Sequence, residues 1–155
     1  MFLPAGQLHS YLHGTAVEIM ANSDNVLRGG LTPKHVDVDE LLKILDDDGG
    51  AAQLVWPEPG ARGESRYLAD VEEFRLSRIA LRRGASYSSG PRTGVELLLC
   101  VEGSAVLRAQ AGSDPGAAPG EHAIDRGSAL LVEACAAPYT LTGEAVLFCA
   151  DVPVV

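Results

Sequence analysis

Pro4-x-Gly6-x-x-His9, inside PAGQLHSYLHG, places an imidazole where it can hold a metal ion. Proline fixes φ, glycine permits a tight turn, and a strand that follows them aims the ring to one side. The plainer reading of one histidine beside apolar residues is a packed or surface ring. Glu18 lies within the apolar run TAVEIM, where a buried carboxylate needs a partner and can accept or relay a proton. Arg28, in NVLRGG, carries a permanent charge on a planar fork that holds oxygens in set directions; its plainer reading is a turn arginine paired with Asp24. His13 and His35 read as surface residues.

These side chains need elements to position them. TAVEIM reads as a short strand, and ANSDN as a turn built on side-chain oxygens. One helix is clear. Asp37 is its N-cap, Glu40 completes a capping box, and Val38, Leu41, Leu42 and Leu45 form an apolar stripe that should end near DDDGG. PEPGARGES reads as a linker. From residue 71 the texture changes to short β runs: EFRLSRIAL, VELLLCV, SAVLRAQ, SALLVEA, PYTLTG and AVLFCADV. Their spacing predicts an antiparallel sandwich or barrel. AGSDPGAAPGEH between two of them reads as a flexible hairpin tip.

Composition narrows the function classes. A net charge of −9 argues against a broad nucleic-acid surface. No run approaches the ~18 apolar residues of a membrane span, and the start MFLPAG is not a secretory signal. Cys100, Cys135 and Cys149 are scattered among apolar neighbours and read as small buried hydrophobes in a reducing compartment, so a cytoplasmic location is expected.

The pattern PxGxxH matches the second metal motif of the cupin barrels. The longer stretch FLPAGQLHSYLHGTAVEIMANSDNVLRGGLTPKHVDVDEL closely resembles the type I mannose-6-phosphate isomerases, almost continuously over residues 2 to 45. One departure is Ser10, where the family usually has alanine. The resemblance implies a zinc ion held by His9 together with a Gln, a His and a Glu from segments well upstream. It implies that Arg28 is the catalytic arginine, and that Tyr11, Glu18 and Lys34 line the sugar-phosphate pocket. The implied reaction interconverts mannose 6-phosphate and fructose 6-phosphate through an enediol. By themselves, Tyr11 reads equally as a core aromatic with a satisfied hydroxyl, and Lys34 as a solvated loop lysine.

The expected fold is mainly β: a cupin-type jelly-roll β-barrel with one short helix, preceded by the closing strands of an incomplete catalytic cupin barrel. The expected divisions are 1–56 for that catalytic part, 57–70 for a linker and 71–155 for the second barrel. In the latter, Glu96 to Gly103 keeps the first cupin motif's Glu-x6-Gly spacing, but SSGPRTG stands where histidines should precede it. From Gly127 onward, Glu133, Cys135 and Pro138 replace the second motif's proline, glycine and histidine. This barrel is therefore expected to be structural, without metal ligands. Eight residues precede His9, and none is His or Glu. The chain is accordingly expected to be the C-terminal portion of a zinc-dependent isomerase, inactive alone, whose partner is the N-terminal part of the enzyme. A metal-free cupin module that binds a small molecule or a partner chain is the competing expectation.

Overall fold

The structure is a computed structural model that describes residues 1–23, 26–46, 53–110 and 120–153. It divides into two compact units, Met1–Val55 and Trp56–Val155.

In the first unit the helix α1 spans Val38–Ile44. Asp37 caps it, its Oδ1 accepting the Glu40 N–H at 3.0 Å, as the capping box requires. The helix ends at Ile44 with Leu45 as C-cap; most of DDDGG lies outside the described residues. No residue of α1 is fully buried; of the apolar stripe, Leu41 and Leu45 are half-buried while Val38 and Leu42 are exposed. Gly6 has φ +86°, and a Cβ there would lie 2.8 Å from the Ile44 carbonyl oxygen. Its own carbonyl accepts the Asp46 N–H at 2.9 Å. The glycine of the PxGxxH pattern thus tucks the chain against the end of the helix. Phe2 forms an isolated antiparallel bridge with Gln53. The closing strands expected here are absent among the described residues, and TAVEIM is irregular. A strand is held by its neighbours' backbone groups, and this unit offers TAVEIM no partner strand.

The second unit is an eight-stranded antiparallel sheet. Its strands are β1 (Pro57–Pro59), β2 (Ser65–Tyr67), β3 (Arg75–Leu81), β4 (Ser86–Ser88), β5 (Glu96–Ala109), β6 (Glu121–Asp125), β7 (Ala129–Val132) and β8 (Tyr139–Asp151). The segment expected to be a linker instead carries β1 and β2, which pair with each other and extend the sheet through β3. The long strands β5 and β8 pair from Glu96↔Asp151 to Ala109↔Tyr139. Over half of that length the neighbours are β3 and β7; over the other half they are β4 and β6. The two half-sheets share β5 and β8, in the manner of a jelly roll, and among the described residues no ladder closes the sheet.

Two pairs of runs that read as separate strands are continuous: VELLLCV with SAVLRAQ in β5, and PYTLTG with AVLFCADV in β8. Glycines at the joins explain this. A Cβ on Gly103 (φ +68°) would lie 2.0 Å from the Glu144 carbonyl oxygen, and one on Gly143 would lie 2.5 Å from that of Ser104. The backbones cross too closely for a side chain, so the strands bend without breaking. A bulge between Cys100 and Glu102 adds one residue to β5. It flips the alternation, so that Leu98 and Cys100 before it and Ala105 and Leu107 after it all enter one core with Ile79, Ile124, Leu141 and Leu147. Cys100 and Cys149 are buried as expected, whereas Cys135 is exposed, in the turn after β7. Residues 111–119, most of the expected hairpin tip, lie outside the described residues; β6 begins just beyond them. No helix among the described residues is long and apolar enough to cross a membrane.

Candidate functional site

Gln7 to Glu18 forms neither helix nor strand, and side-chain bonds organise it. His9 is exposed, and its Nδ1–H donates to the Gln7 carbonyl at 3.1 Å. A carbonyl only accepts, so Nδ1 carries a proton in this bond, and Nε2 is the ring nitrogen left for a metal ion. The Tyr11 ring meets His9 edge-on with 5.9 Å between centroids. Its hydroxyl donates to Glu18 Oε1 at 2.6 Å. That hydrogen bond, with smaller effects of burial and of the Glu18 charge, holds the phenol above its ordinary pKa. Tyr11 and Glu18 line an open pocket of about 520 Å³ together with Ser10, His13 and Thr15.

The structure therefore joins three of the five expected site residues, with Tyr11 as the link between His9 and Glu18. Glu18 was expected among buried apolar neighbours; it is exposed, and its partner is a phenol. Arg28 is half-buried and Lys34 exposed, and neither lines the pocket. The Lys34 backbone N–H donates to Thr32 Oγ1 at 3.2 Å. Asp24, the alternative partner for Arg28, lies outside the described residues. His13 and His35 are exposed, as read.

Whether these residues fit a zinc ion is a matter of donor count. Catalytic zinc takes about three protein ligands, and His9 supplies one imidazole. Among the described residues, the one group of three or more His, Cys, Asp or Glu donors is Glu96, Cys149 and Asp151, and it does not include His9. The residues present around His9 do not by themselves fit the ion.

That second group sits inside the β unit; of its members only Glu96 was marked in the sequence, by its Glu-x6-Gly spacing. Glu96 faces Asp151 directly across β5 and β8, with Cys149 two positions back on the same face of β8. Glu96 Oε2 accepts from the buried Tyr139 hydroxyl at 2.8 Å. Asp151 Oδ2 accepts from Arg75 Nη2 at 2.7 Å. Arg92 lies with Nε 3.8 Å from Glu96 Oε2, its other nitrogens bonded to Ser89 Oγ and to the Ala136 and Ala137 carbonyls. Burial raises the Glu96 carboxyl pKa, against the lowering effect of the Tyr139 bond. Burial, and then the charges of Glu96 and Asp151, push the Cys149 thiol up to about 12.

No family model matches the chain. Mannose-6-phosphate isomerase of Cryptococcus neoformans is 39% identical over 112 residues, which span 69% of this chain and 26% of that protein. The Escherichia coli enzyme of the same name is 40% identical over 108 residues, 69% of this chain and 27% of the relative. The chain thus spans about a quarter of the length of the curated relatives it matches. Among solved structures, mannose 6-phosphate isomerase from Salmonella typhimurium bound to fructose 6-phosphate and zinc superposes with a TM-score of 0.70 at 29% identity, over 87% of this chain and 32% of that one. Solved forms of the Salmonella protein include single alanine mutants of a histidine, a glutamate and an arginine that stand nine and then ten residues apart.

Proposed function

This chain belongs to the mannose-6-phosphate isomerases over a portion of their length, and we propose that it supplies part of the active site of such an enzyme, as its C-terminal portion. The reaction is the interconversion of mannose 6-phosphate and fructose 6-phosphate through an enediol, with zinc held by His9 and by donors in the part of the family's length that this chain does not span. The observation that carries the reading is a spacing. His9, Glu18 and Arg28 stand nine and ten residues apart, as do the histidine, glutamate and arginine replaced in the Salmonella mutants.

The chain's own residues have definite work in that reaction. An aldose–ketose isomerase moves a proton between C1 and C2 while negative charge develops on their oxygens. The Arg28 guanidinium stabilises that charge and holds the oxygens in place. Glu18, bonded to the Tyr11 hydroxyl at 2.6 Å, keeps that phenol oriented in the pocket, where it contacts the sugar phosphate. Lys34, exposed, meets the phosphate as a mobile point charge.

The test is reconstitution. The 155-residue chain alone should not turn over mannose 6-phosphate. Fused behind the upstream part of the Escherichia coli relative and loaded with zinc, it should, and His9→Ala or Arg28→Ala should abolish that turnover. Turnover by the isolated chain that His9→Ala removes would overturn the partial-site reading. A folded, zinc-loaded fusion without activity would overturn the isomerase reading.

A further inference from the structure

We propose that Glu96, Cys149 and Asp151 form a binding site for one thiophilic divalent cation of the zinc type, inside the β unit and independent of His9. The three side chains come from the two long paired strands and share the inner face of the sheet. One donor atom, Asp151 Oδ1, is buried without a partner, and a neighbour holds one oxygen of each carboxylate. On Glu96 the Tyr139 hydroxyl occupies Oε2, which leaves Oε1. On Asp151 the Arg75 guanidinium occupies Oδ2, and Oδ1 is buried with no hydrogen-bond partner. Cys149 is 5% exposed and forms no disulfide. A buried carboxylate oxygen without a donor is unfavourable in a folded chain unless something binds it. Fixing one oxygen of a carboxylate so that the other is aimed is what outer partners do at metal sites.

The geometry suits a small ion. One donor atom from each of the three residues lies within 4.8 Å of the other two. A point that reaches all three lies no more than about 2.8 Å from each, so a closure of roughly half an ångström gives zinc–oxygen and zinc–thiolate distances. The thiolate selects zinc over magnesium or calcium, which take oxygen donors. An open polar pocket of about 200 Å³, lined by Glu96, Asp151, Arg62, Arg75 and Arg92, gives a route in from solvent. Charge balance sets a limit. Arg75 and Arg92 already neutralise the two carboxylates, so the ion enters as the thiol proton leaves to solvent, and the site gains one positive charge. Binding is therefore weaker than at a zinc site without guanidinium neighbours. The site also differs from the two cupin motifs: it keeps the glutamate of the first and takes its other donors from β8.

The test uses the full chain carrying His9→Ala, titrated with cobalt(II) and zinc(II). One cobalt per chain should bind, with a thiolate-to-metal charge-transfer band in the near ultraviolet that zinc displaces. Cys149→Ser should remove the band, and Cys135→Ser should leave it. Asp151→Asn and Glu96→Gln should each weaken cobalt binding by more than about tenfold. Absence of the band in the parent, or its survival in Cys149→Ser, overturns the site. Should Cys149→Ser not fold, the two carboxylate variants decide: a tenfold loss in each supports the site, and unchanged affinity in both overturns it.

Discussion

Replacing Tyr139 by phenylalanine isolates one hydrogen bond in the most buried part of the β unit. Tyr139 is 1% exposed, and its hydroxyl reaches Glu96 Oε2 at 2.8 Å. Phenylalanine keeps the ring over which the Arg92 guanidinium sits, 5.1 Å from the centroid, so packing is preserved and a donor is lost. The cost depends on the charge of Glu96. Burial raises that carboxyl's pKa in the fold above its unfolded value. The protonated form is thus favoured by folding, a contribution fully present below the unfolded pKa and lost as pH rises through the folded one. At acid pH, below the unfolded pKa, the substitution removes a bond to a neutral group, worth about 1 kcal/mol; at alkaline pH, above the folded pKa, it strands a buried charge, at about 2 to 3 kcal/mol. For a unit of this size the second figure lowers Tm by on the order of 10 °C. Urea unfolding of both chains at the two pH values, followed by far-ultraviolet circular dichroism, measures the difference. Other titrations, including that of Glu64, are common to both chains and cancel. A cost that is equal at the two pH values, or greater at the acidic one, refutes the reasoning.

Gly103→Ala should cost more than about 3 kcal/mol, because it adds a collision with the Glu144 carbonyl to the strain of positive φ. Gly127→Ala, with φ +89° and open space around its Cβ, should cost only about 1 to 2 kcal/mol, so urea midpoints of the two variants separate sterics from strain. Burial alone would raise the Glu64 carboxyl pKa, but bonds from its own backbone, the Arg66 guanidinium and the Arg62 N–H bring it below the ordinary range. Its contribution is present above the unfolded pKa and lost as pH falls through the folded one. Glu64→Gln should therefore flatten the acid limb of a stability–pH curve. In the active fusion, Arg28→Lys should lower kcat by more than about tenfold at a saturating substrate concentration, since a point charge cannot reproduce the guanidinium fork.

What the sequence revealed and concealed follows from the range of the forces involved. The cap at Asp37 was legible because it is a contact between residues three apart. Arg75–Leu81 and Ala129–Val132 were legible because apolar content marks them. PEP, SRY, SYS and EHAID were not, since these short strands are held by the ladders of their neighbours and carry little pattern of their own. TAVEIM shows the reverse: a strand-like composition without a partner to pair with. At the site, His9 could be read from its proline and glycine, while the Tyr11–Glu18 bond spans seven residues of irregular chain and left no periodic trace. Glu96, Cys149 and Asp151 meet only through the register of β5 and β8, which no local pattern encodes.

Because β5 and β8 run through both half-sheets, neither half can open while the other stays shut. The central amides of these strands should exchange with deuterium at one common rate, set by global unfolding, with β1 and β4 at the margins exchanging sooner. The same pairing joins segments far apart in the chain, so a long loop must close before either strand finds its mate. Folding should therefore be slow for the unit's size, with the unpaired long strands as its most vulnerable species.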